Sequence, residues 1–164
     1  MEVKVNRHPV EIYTPSYQIS GEMQPIGSFG TYINDDKVAA FRVVDATLLP
    51  LMPDARLGEM KLPEVYIYKR EVQVILVGDF TPAEARLMPK PMPLVVFTGT
   101  YAVRGVFYGG AESKPGDIFD PAGPFFPITQ FEIFNLRPLM TEVSGAFPIA
   151  YINKEAIAAY HPTT

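Results

Sequence analysis

Two stretches of the chain read alike although they lie 84 residues apart. They are Pro9–Gly21, PVEIYTPSYQISG, and Pro93–Gly105, PLVVFTGTYAVRG. Proline, threonine, tyrosine and glycine are identical at matched positions, while Ile exchanges with Val and Tyr with Phe. Both stretches alternate apolar and polar residues and are rich in Val, Ile, Tyr and Thr, which is typical of β-strands. The sequence therefore predicts a β-structure that occurs twice.

Two further blocks extend this match in the same order. Ala40–Leu48, AFRVVDATL, resembles Phe125–Ile133, FFPITQFEI, and the phrase beginning at Tyr66, YIYK, resembles the phrase beginning at Tyr151, YINK. Three collinear blocks at a nearly constant offset indicate a duplicated unit of roughly 70 residues.

The segment between the two units carries the signals of a short helix. It reads TPAEARLMPKP, in which Thr81 is a suitable N-cap and Pro82 suits the first helical position. Glu84 completes a capping box, and Pro89 stops the run after about two turns. We expect a linker with a short helix over residues 79–92.

A charged step interrupts the β-pattern near the end of each unit. In VYIYKREVQV the alternation stops at Lys69 and restarts at Val72. In the second unit the break falls at Asn153, Lys154 and Glu155, where Asn153 is a suitable cap for a single tight turn. A strand, a one-turn corner and a final strand are expected to close a small barrel in each unit.

This layout resembles an SH3-like or Sm-like barrel. It also resembles an uncharacterised bacterial family of small domains with a repeated Thr-x-x-Tyr-x-Ile-x-Gly and Ile-Asn-Lys-Glu-x-Ile pattern. The resemblance covers most of both units and implies an all-β fold of two tandem five-stranded barrels, at residues 1–78 and 93–164, joined by the linker helix. Sm proteins bind RNA through an Arg-Gly-Asp or Arg-Gly-Asn corner, whereas the corners here contain Lys69-Arg70 and Lys154-Glu155.

Composition limits the classes of partner. The formal net charge is −4 and the isoelectric point is near 5.2, so the long-range field opposes strong nucleic-acid binding. The chain has no cysteine, which excludes disulfides and thiolate chemistry. It has no apolar run of about 18 residues that would span a membrane, and its first residues lack the apolar run of a signal peptide. We expect a cytoplasmic protein.

The sequence contains no arrangement of catalytic residues that identifies a reaction. Its two histidines, His8 and His161, lie near opposite ends and are expected to be solvated, so we predict no metal site and no cofactor. The glycine-rich stretches 27–30 and 108–116 are expected to be hairpin tips, because neither is followed by a capped helix. Carboxylates in turn-like contexts are expected to bind backbone amides; they are Asp35, Asp36, Asp117 and Asp120. We therefore predict that the protein is not an enzyme.

Two sets of residues are candidates for a site or a structural role. Cations and an amide near the aromatic residues are binding candidates, because bases stack on aromatic rings beside positive charge; they are Arg42, Lys69, Arg104, Asn153 and Lys154. The alternative is that the aromatic residues fill the barrels and cover the contact between them. Gly21 and Gly105 are expected to be structural, through positive φ, a β-bulge or a close backbone approach.

The preferred functional hypothesis is a non-enzymatic assembly or protein-interaction module. Small barrels have edge strands that must be paired, covered or charged. Pairing between the two units, or ring formation like that of Sm proteins, would meet this need and predicts a homo-oligomer or a protein partner. The alternatives are a single-stranded RNA-binding Sm-like module and an enzyme with an unrecognised site between the barrels.

Overall fold

A computed structural model describes residues 6–80, 84–112, 114, 123–136 and 147–163. Within these ranges the chain forms ten strands, one short α-helix and two one-turn 3₁₀ helices. The strands are β1 (His8–Tyr13), β2 (Tyr17–Met23), β3 (Ala40–Pro50), β4 (Met60–Tyr68), β5 (Val74–Val77), β6 (Lys90–Thr98), β7 (Tyr101–Gly109), β8 (Phe125–Asn135), β9 (Ile149–Asn153) and β10 (Ile157–Pro162). The helix is α1 (Phe29–Ile33), and the 3₁₀ turns are the first corner (Lys69–Glu71) and the second corner (Lys154–Ala156).

All ten strands belong to one antiparallel sheet in the order β10-β6-β7-β8-β9-β5-β1-β2-β3-β4. The all-β prediction is confirmed. The two separate closed barrels are not: the sheet is open. Strand β5 pairs with β1 on one side and with β9 on the other. Because a strand has only two hydrogen-bonding edges, β5 cannot also pair with β4 to close its own half.

The two halves of the sheet have the same strand order and register. The first half runs β5-β1-β2-β3-β4 and the second runs β10-β6-β7-β8-β9. Val10 lies opposite Val77 in the first half. In the second half Leu94, 84 residues after Val10, lies opposite Pro162, which is 85 residues after Val77. The same shift relates Tyr17↔Pro50 to Tyr101↔Asn135 and Ala40↔Tyr68 to Phe125↔Asn153.

The central pair, β5 and β9, is buried on both faces. Because side chains alternate across a strand, neighbouring residues enter two different hydrophobic cores. Ile75 and Tyr151 lie in the first core, which also contains Phe41. Leu76 and Ile152 lie in the second core, with residues of β6, β7 and β8. The uninterrupted apolar sequence VILV of β5 follows from this double burial.

Gly21 is required by close packing at a β-bulge. The register between β2 and β3 shifts between Ser20 and Glu22, and Asp45 on β3 has a positive φ of 49°. A Cβ atom on Gly21 would lie 2.6 Å from Val43 Cγ1 and 2.7 Å from the Val44 carbonyl oxygen. Of the three predicted reasons for this glycine, a bulge and a close backbone approach therefore apply.

The same arrangement recurs at Gly105. The register shift falls between Arg104 and Val106, and the residue with positive φ is Gln130, at 50°. A Cβ atom on Gly105 would collide with Ile128 Cγ2 and lie 2.9 Å from the Thr129 carbonyl oxygen. Each half thus places a glycine opposite a residue with left-handed backbone.

The helix predictions need correction. Thr81 and Pro82 lie outside the described residues, and residues 84–86 form a turn ahead of β6 instead of a helix. The stretch 27–30 is not a hairpin tip, because α1 begins at Phe29 and the Ser28 hydroxyl accepts a hydrogen bond from Thr31 N. The second glycine-rich stretch continues β7 to Gly109, and part of it lies outside the described residues. The isolated turn of helix was missed because it has only five residues.

The residue that ends α1 contacts the second half of the sheet. Phe125 N donates to Asn34 Oδ1 (2.7 Å), and Asn34 Nδ2 donates to the Phe125 carbonyl oxygen (3.1 Å). Both backbone groups of Phe125 are thus bound by one side chain of the other half.

We predict that Gly21→Ala and Gly105→Ala each lower the free energy of unfolding by at least about 1 kcal/mol, because the new methyl group overpacks a filled site. Gly58→Ala is the matched control, since nothing lies within 4 Å of its added Cβ. Urea unfolding of the three variants measures the difference. Unchanged midpoints at positions 21 and 105 would contradict the close approach.

Candidate functional site

The Thr-x-x-Tyr phrase forms the same turn in both halves. Thr14 Oγ1 accepts a hydrogen bond from Tyr17 N (2.9 Å), and Thr98 Oγ1 accepts one from Tyr101 N (2.9 Å). A side-chain hydroxyl that accepts from a nearby backbone N–H stabilises a tight turn, because it binds an amide that has no partner in the sheet at that point. The turn therefore holds Tyr17 and Tyr101 at equivalent places at the start of β2 and β7.

The two halves contact each other through the β5–β9 pair and through the turns and corners at its end, and we call this contact the joint. Tyr101 is part of the joint. Its side chain is buried, and its ring meets the edge of Tyr13 with 5.5 Å between centroids. Its hydroxyl donates to the Thr14 carbonyl oxygen (3.2 Å). Burial raises the pKa of the Tyr101 phenol, so it is a neutral donor. Beside it, Thr98 Oγ1 donates to Gln73 Oε1 (2.8 Å).

Asn153 is a structural residue of the joint. Its Oδ1 accepts from Glu155 N (3.0 Å), which confirms its predicted role as cap of the second corner. Its Nδ2 donates to the Val72 carbonyl oxygen (2.9 Å), and its backbone N donates to the Gln73 carbonyl oxygen (3.0 Å). The side chain is buried and both of its polar atoms are bound within the protein, so the structure shows a structural role for Asn153, and its predicted role in ligand binding stays a prediction.

The two corners face each other across a cleft of about 620 Å³, which we call the corner cleft. Lys69, Arg70 and Lys154 line it together with Asp36 and Glu155. Three of the five predicted binding candidates, Lys69, Asn153 and Lys154, are therefore neighbours in space. The cleft therefore carries charges of both signs beside apolar side chains, and a ligand bound there would contact both.

The cations of the corner cleft have partners within the protein. Lys69 Nζ donates to the Asp35 carbonyl oxygen (3.0 Å), and desolvation lowers the pKa of this ammonium group. The guanidinium of Arg70 lies over the ring of Tyr68, 5.3 Å from its centroid. These contacts hold two positive groups and one aromatic ring at one side of the cleft.

The other two binding candidates lie away from the corner cleft. Arg42 on β3 pairs with Glu64 on β4 (2.7 Å), and this hydrogen bond is the main cause of its raised pKa. Arg104 is exposed on β7, opposite Glu132 on β8. The structure therefore does not bring Arg42 and Arg104 into a common site with Lys69 and Lys154.

His8 is not a solvated terminal residue as predicted. It is buried, its Nδ1 lies 3.2 Å from the Gly78 carbonyl oxygen, and its ring packs edge-on against Phe29 and Phe80. Within the described ranges, no group of three or more His, Cys, Asp or Glu side chains is placed to hold a metal ion. In the same part of the chain, no helix has the length and apolar character needed to cross a membrane.

One carboxylate prediction is confirmed. Asp35 Oδ1 accepts a hydrogen bond from Lys37 N (2.9 Å), as expected for an aspartate in a turn. Asp117 and Asp120 lie outside the described residues.

A second, more apolar cleft lies at the β4 edge of the sheet. Tyr17, Tyr66 and Tyr68 line it, and its volume is about 340 Å³; we call it the tyrosine cleft. All three rings are substantially exposed. Sequence reasoning named these tyrosines only as part of the aromatic content. The available signal was the comparison of the two units, in which Tyr68 stands where the second unit has the buried Asn153.

Comparison of the chain with protein-family models, curated proteins and solved structures finds no significant match. The resemblance to SH3-like and Sm-like barrels therefore stays a prediction from the sequence.

Glu11, next to the joint, couples stability to pH. Its carboxylate accepts hydrogen bonds from the Tyr13 hydroxyl (2.9 Å) and from Gln18 Nε2 (3.1 Å). Desolvation nevertheless raises the pKa of Glu11 in the folded protein, because it outweighs these two hydrogen bonds. The folded state therefore binds this proton more tightly than the unfolded state.

We predict that the stability of the wild type relative to Glu11→Gln rises as the pH falls through the folded-state pKa of Glu11. The gain is complete below the unfolded value of about 4.3 and is lost as the pH rises again. Urea unfolding of both proteins between neutral and acidic pH measures the difference, with the exposed Glu59→Gln as control. A relative stability that rises with increasing pH would contradict this sign.

We predict that Asn153→Ala lowers the free energy of unfolding by about 1–3 kcal/mol, because the buried Val72 carbonyl oxygen and Glu155 N lose their partner. The exposed Asn135→Ala at the end of β8 is the control and should change stability by less than about 0.5 kcal/mol. Thermal and urea unfolding measure both. Equal effects of the two substitutions would show that Asn153 does not stabilise the joint.

Proposed function

We propose that this protein is a non-enzymatic assembly module, made of a duplicated five-stranded unit, that associates with further copies by extending its sheet. Each unit is an SH3-like or Sm-like domain in this proposal, although the two share one open sheet. A cytoplasmic location is part of the proposal on the basis of the sequence alone.

Several independent features support the duplication. The two halves share strand order, register, a bulge with a glycine opposite a positive φ, a Thr-x-x-Tyr turn and a one-turn corner before the last strand. Convergence of one local feature between β-rich segments is common, but agreement of long-range pairings requires the whole unit to be alike. The one-turn corners are also among the features on which the barrel resemblance rests.

The sheet ends in two strands, β4 and β10, that each have a partner on one side only in the described part of the chain. Such edges offer unpaired backbone N–H and C=O groups and pair with other chains unless they are protected. Pro63 and Pro162 lack an N–H and so limit the usable edges. Residues 64–68 of β4 contain no proline, so no proline limits backbone pairing along this part of the edge.

Apolar exposure at the β4 edge is the observation that carries the proposal. Tyr66 is 60% exposed and Tyr68 is 61% exposed, and with Tyr17 they line one cleft. A group of exposed aromatic residues beside an unpaired strand is typical of a protein contact, because a partner strand supplies hydrogen bonds while its side chains cover the rings.

We predict that the wild type associates in a concentration-dependent manner and that Tyr66→Lys weakens this association at least tenfold, because a charge would be desolvated at the contact. Light scattering after size exclusion, over a wide range of protein concentration, measures the mass. Phe134→Lys is the matched control, since Phe134 is an exposed aromatic residue on the interior strand β8. A monomer of 18.2 kDa at all concentrations would contradict the proposal.

Single-stranded RNA binding is a second candidate, favoured by the corner cleft. Lys69, Arg70 and Lys154 lie there beside the ring of Tyr68, and a base could stack on that ring while the cations bind phosphate. The net charge of −4 opposes this function, because non-specific affinity comes mainly from released counterions.

We predict no submicromolar binding of labelled poly-U at near-physiological salt, measured by fluorescence anisotropy. Binding that weakens steeply with added salt, and that Lys69→Glu abolishes while Lys61→Glu on the exposed start of β4 does not, would establish the RNA function instead.

A further inference from the structure

We propose that the contact between copies is head-to-tail: β10 of one copy pairs with β4 of the next, and Phe97 of the first copy enters the tyrosine cleft of the second. This inference rests on the proposed function and specifies its partner as a second copy of this chain. It follows from the joint, which already shows how one unit binds another.

The joint pairs the fifth strand of one unit with the fourth strand of the other. Strand β5 is the last strand of the first unit, and β9 is the fourth strand of the second unit. The edges left at the two ends of the sheet are β4, a fourth strand, and β10, a fifth strand. A contact between β10 and β4 of two copies therefore repeats the joint, whereas a β4–β4 or β10–β10 contact does not.

The side chains at these open ends are exposed where their equivalents in the joint are buried. Tyr101 is 0% exposed in the joint, and its equivalent Tyr17 is 39% exposed. Tyr13 is 0% exposed in the joint, and its equivalent Phe97 is 37% exposed. Both members of the ring pair that closes the joint thus have an apolar counterpart at an open end.

The same contrast holds on the edge strands themselves. Tyr151 of β9 is 2% exposed, and its equivalent Tyr66 of β4 is 60% exposed. The unit has kept the aromatic residue at this position although nothing within the described chain covers Tyr66. In the joint, Phe29 and Phe80 of the first unit pack against Tyr151. At the contact between copies, the same register places Tyr160 of one copy opposite Tyr66 of the next.

The joint also supplies the register of the contact. Val74 lies opposite Ile152 and Ile75 opposite Tyr151 in the joint. Shifted to the equivalent positions, Ala159 of one copy lies opposite Ile67 of the next. The ring contact of Tyr13 with Tyr101 becomes a contact of Phe97 with Tyr17 of the next copy.

The contact between copies lacks two hydrogen bonds of the joint. Asn153 and Gln73, which supply side-chain bonds there, are replaced by Tyr68 and Ala158 at the equivalent positions. The contact between copies is therefore more apolar and weaker than the joint, so copies exchange while each chain stays folded. Because the interface joins two different surfaces, an open assembly of any length keeps one free β4 end and one free β10 end until it closes into a ring.

Complementation between two blocked variants tests this geometry. Tyr17→Lys blocks the tyrosine cleft and leaves the β10 end intact, while Phe97→Lys blocks the β10 end and leaves the cleft intact. Each variant alone is expected to be monomeric at concentrations at which the wild type associates. An equimolar mixture is expected to give a species of twice the monomer mass, because it contains one intact pair of surfaces. Phe134→Lys controls for added charge, and far-ultraviolet circular dichroism with thermal unfolding checks that each variant is folded.

The outcomes separate this inference from the function on which it rests. A wild type that stays monomeric overturns both. A wild type that associates while either variant still forms dimers alone overturns the head-to-tail geometry only, because such dimers use like surfaces. Folded, monomeric variants whose mixture stays monomeric also overturn it. If one variant does not fold, the milder pair Tyr66→Lys and Ala159→Lys replaces it, with the same expected masses.

Discussion

The antiparallel pairing of β5 with β9 is the interaction on which the rest of this structure depends. Four residue pairs, from Val74↔Ile152 to Val77↔Ile149, join the two halves. Because the two strands are buried on both faces, their side chains contribute to both hydrophobic cores. Neither half is complete by itself, since each core takes residues from the other half. Loss of this pairing would expose apolar surface on both faces of the sheet at once.

The joint and the open ends of the sheet differ in the side chains that stand at equivalent positions of the two halves. At the joint, the buried amide of Asn153 donates to a backbone carbonyl oxygen, and the amide oxygen of Gln73 accepts from the Thr98 hydroxyl. At the open ends, Tyr68 and Ala158 occupy the equivalent positions, and the surface is aromatic or small. A buried amide needs a hydrogen-bond partner, which the joint supplies, whereas an aromatic ring or a methyl group can be covered without one.

Much of the fold was predictable because its signals are local. Period-two alternation predicts the strands, and the Thr-x-x-Tyr turn is visible as a repeated sequence motif. The second corner is predictable because asparagine is a common cap of such turns. The pairing of β5 with β9 was not predictable, because backbone hydrogen bonds between distant strands leave no pattern in either segment. For the same reason the structural role of Asn153 in the joint was not predictable: the Val72 carbonyl oxygen that it binds is 81 residues away. His8 was misplaced because closeness to the chain end does not determine burial.

Native-state hydrogen exchange tests the central claim most directly, since it reports the stability of each backbone hydrogen bond separately. If the β5–β9 pairing unites the halves, amides of β5 and β9 exchange only on global unfolding and rank with the most protected in the chain. Amides that face outward on β4 and β10 exchange much faster under conditions that favour the monomer. Fast exchange in β5 and β9, with protection retained separately in β2 and β7, would show instead that the two halves are independent units held in loose contact.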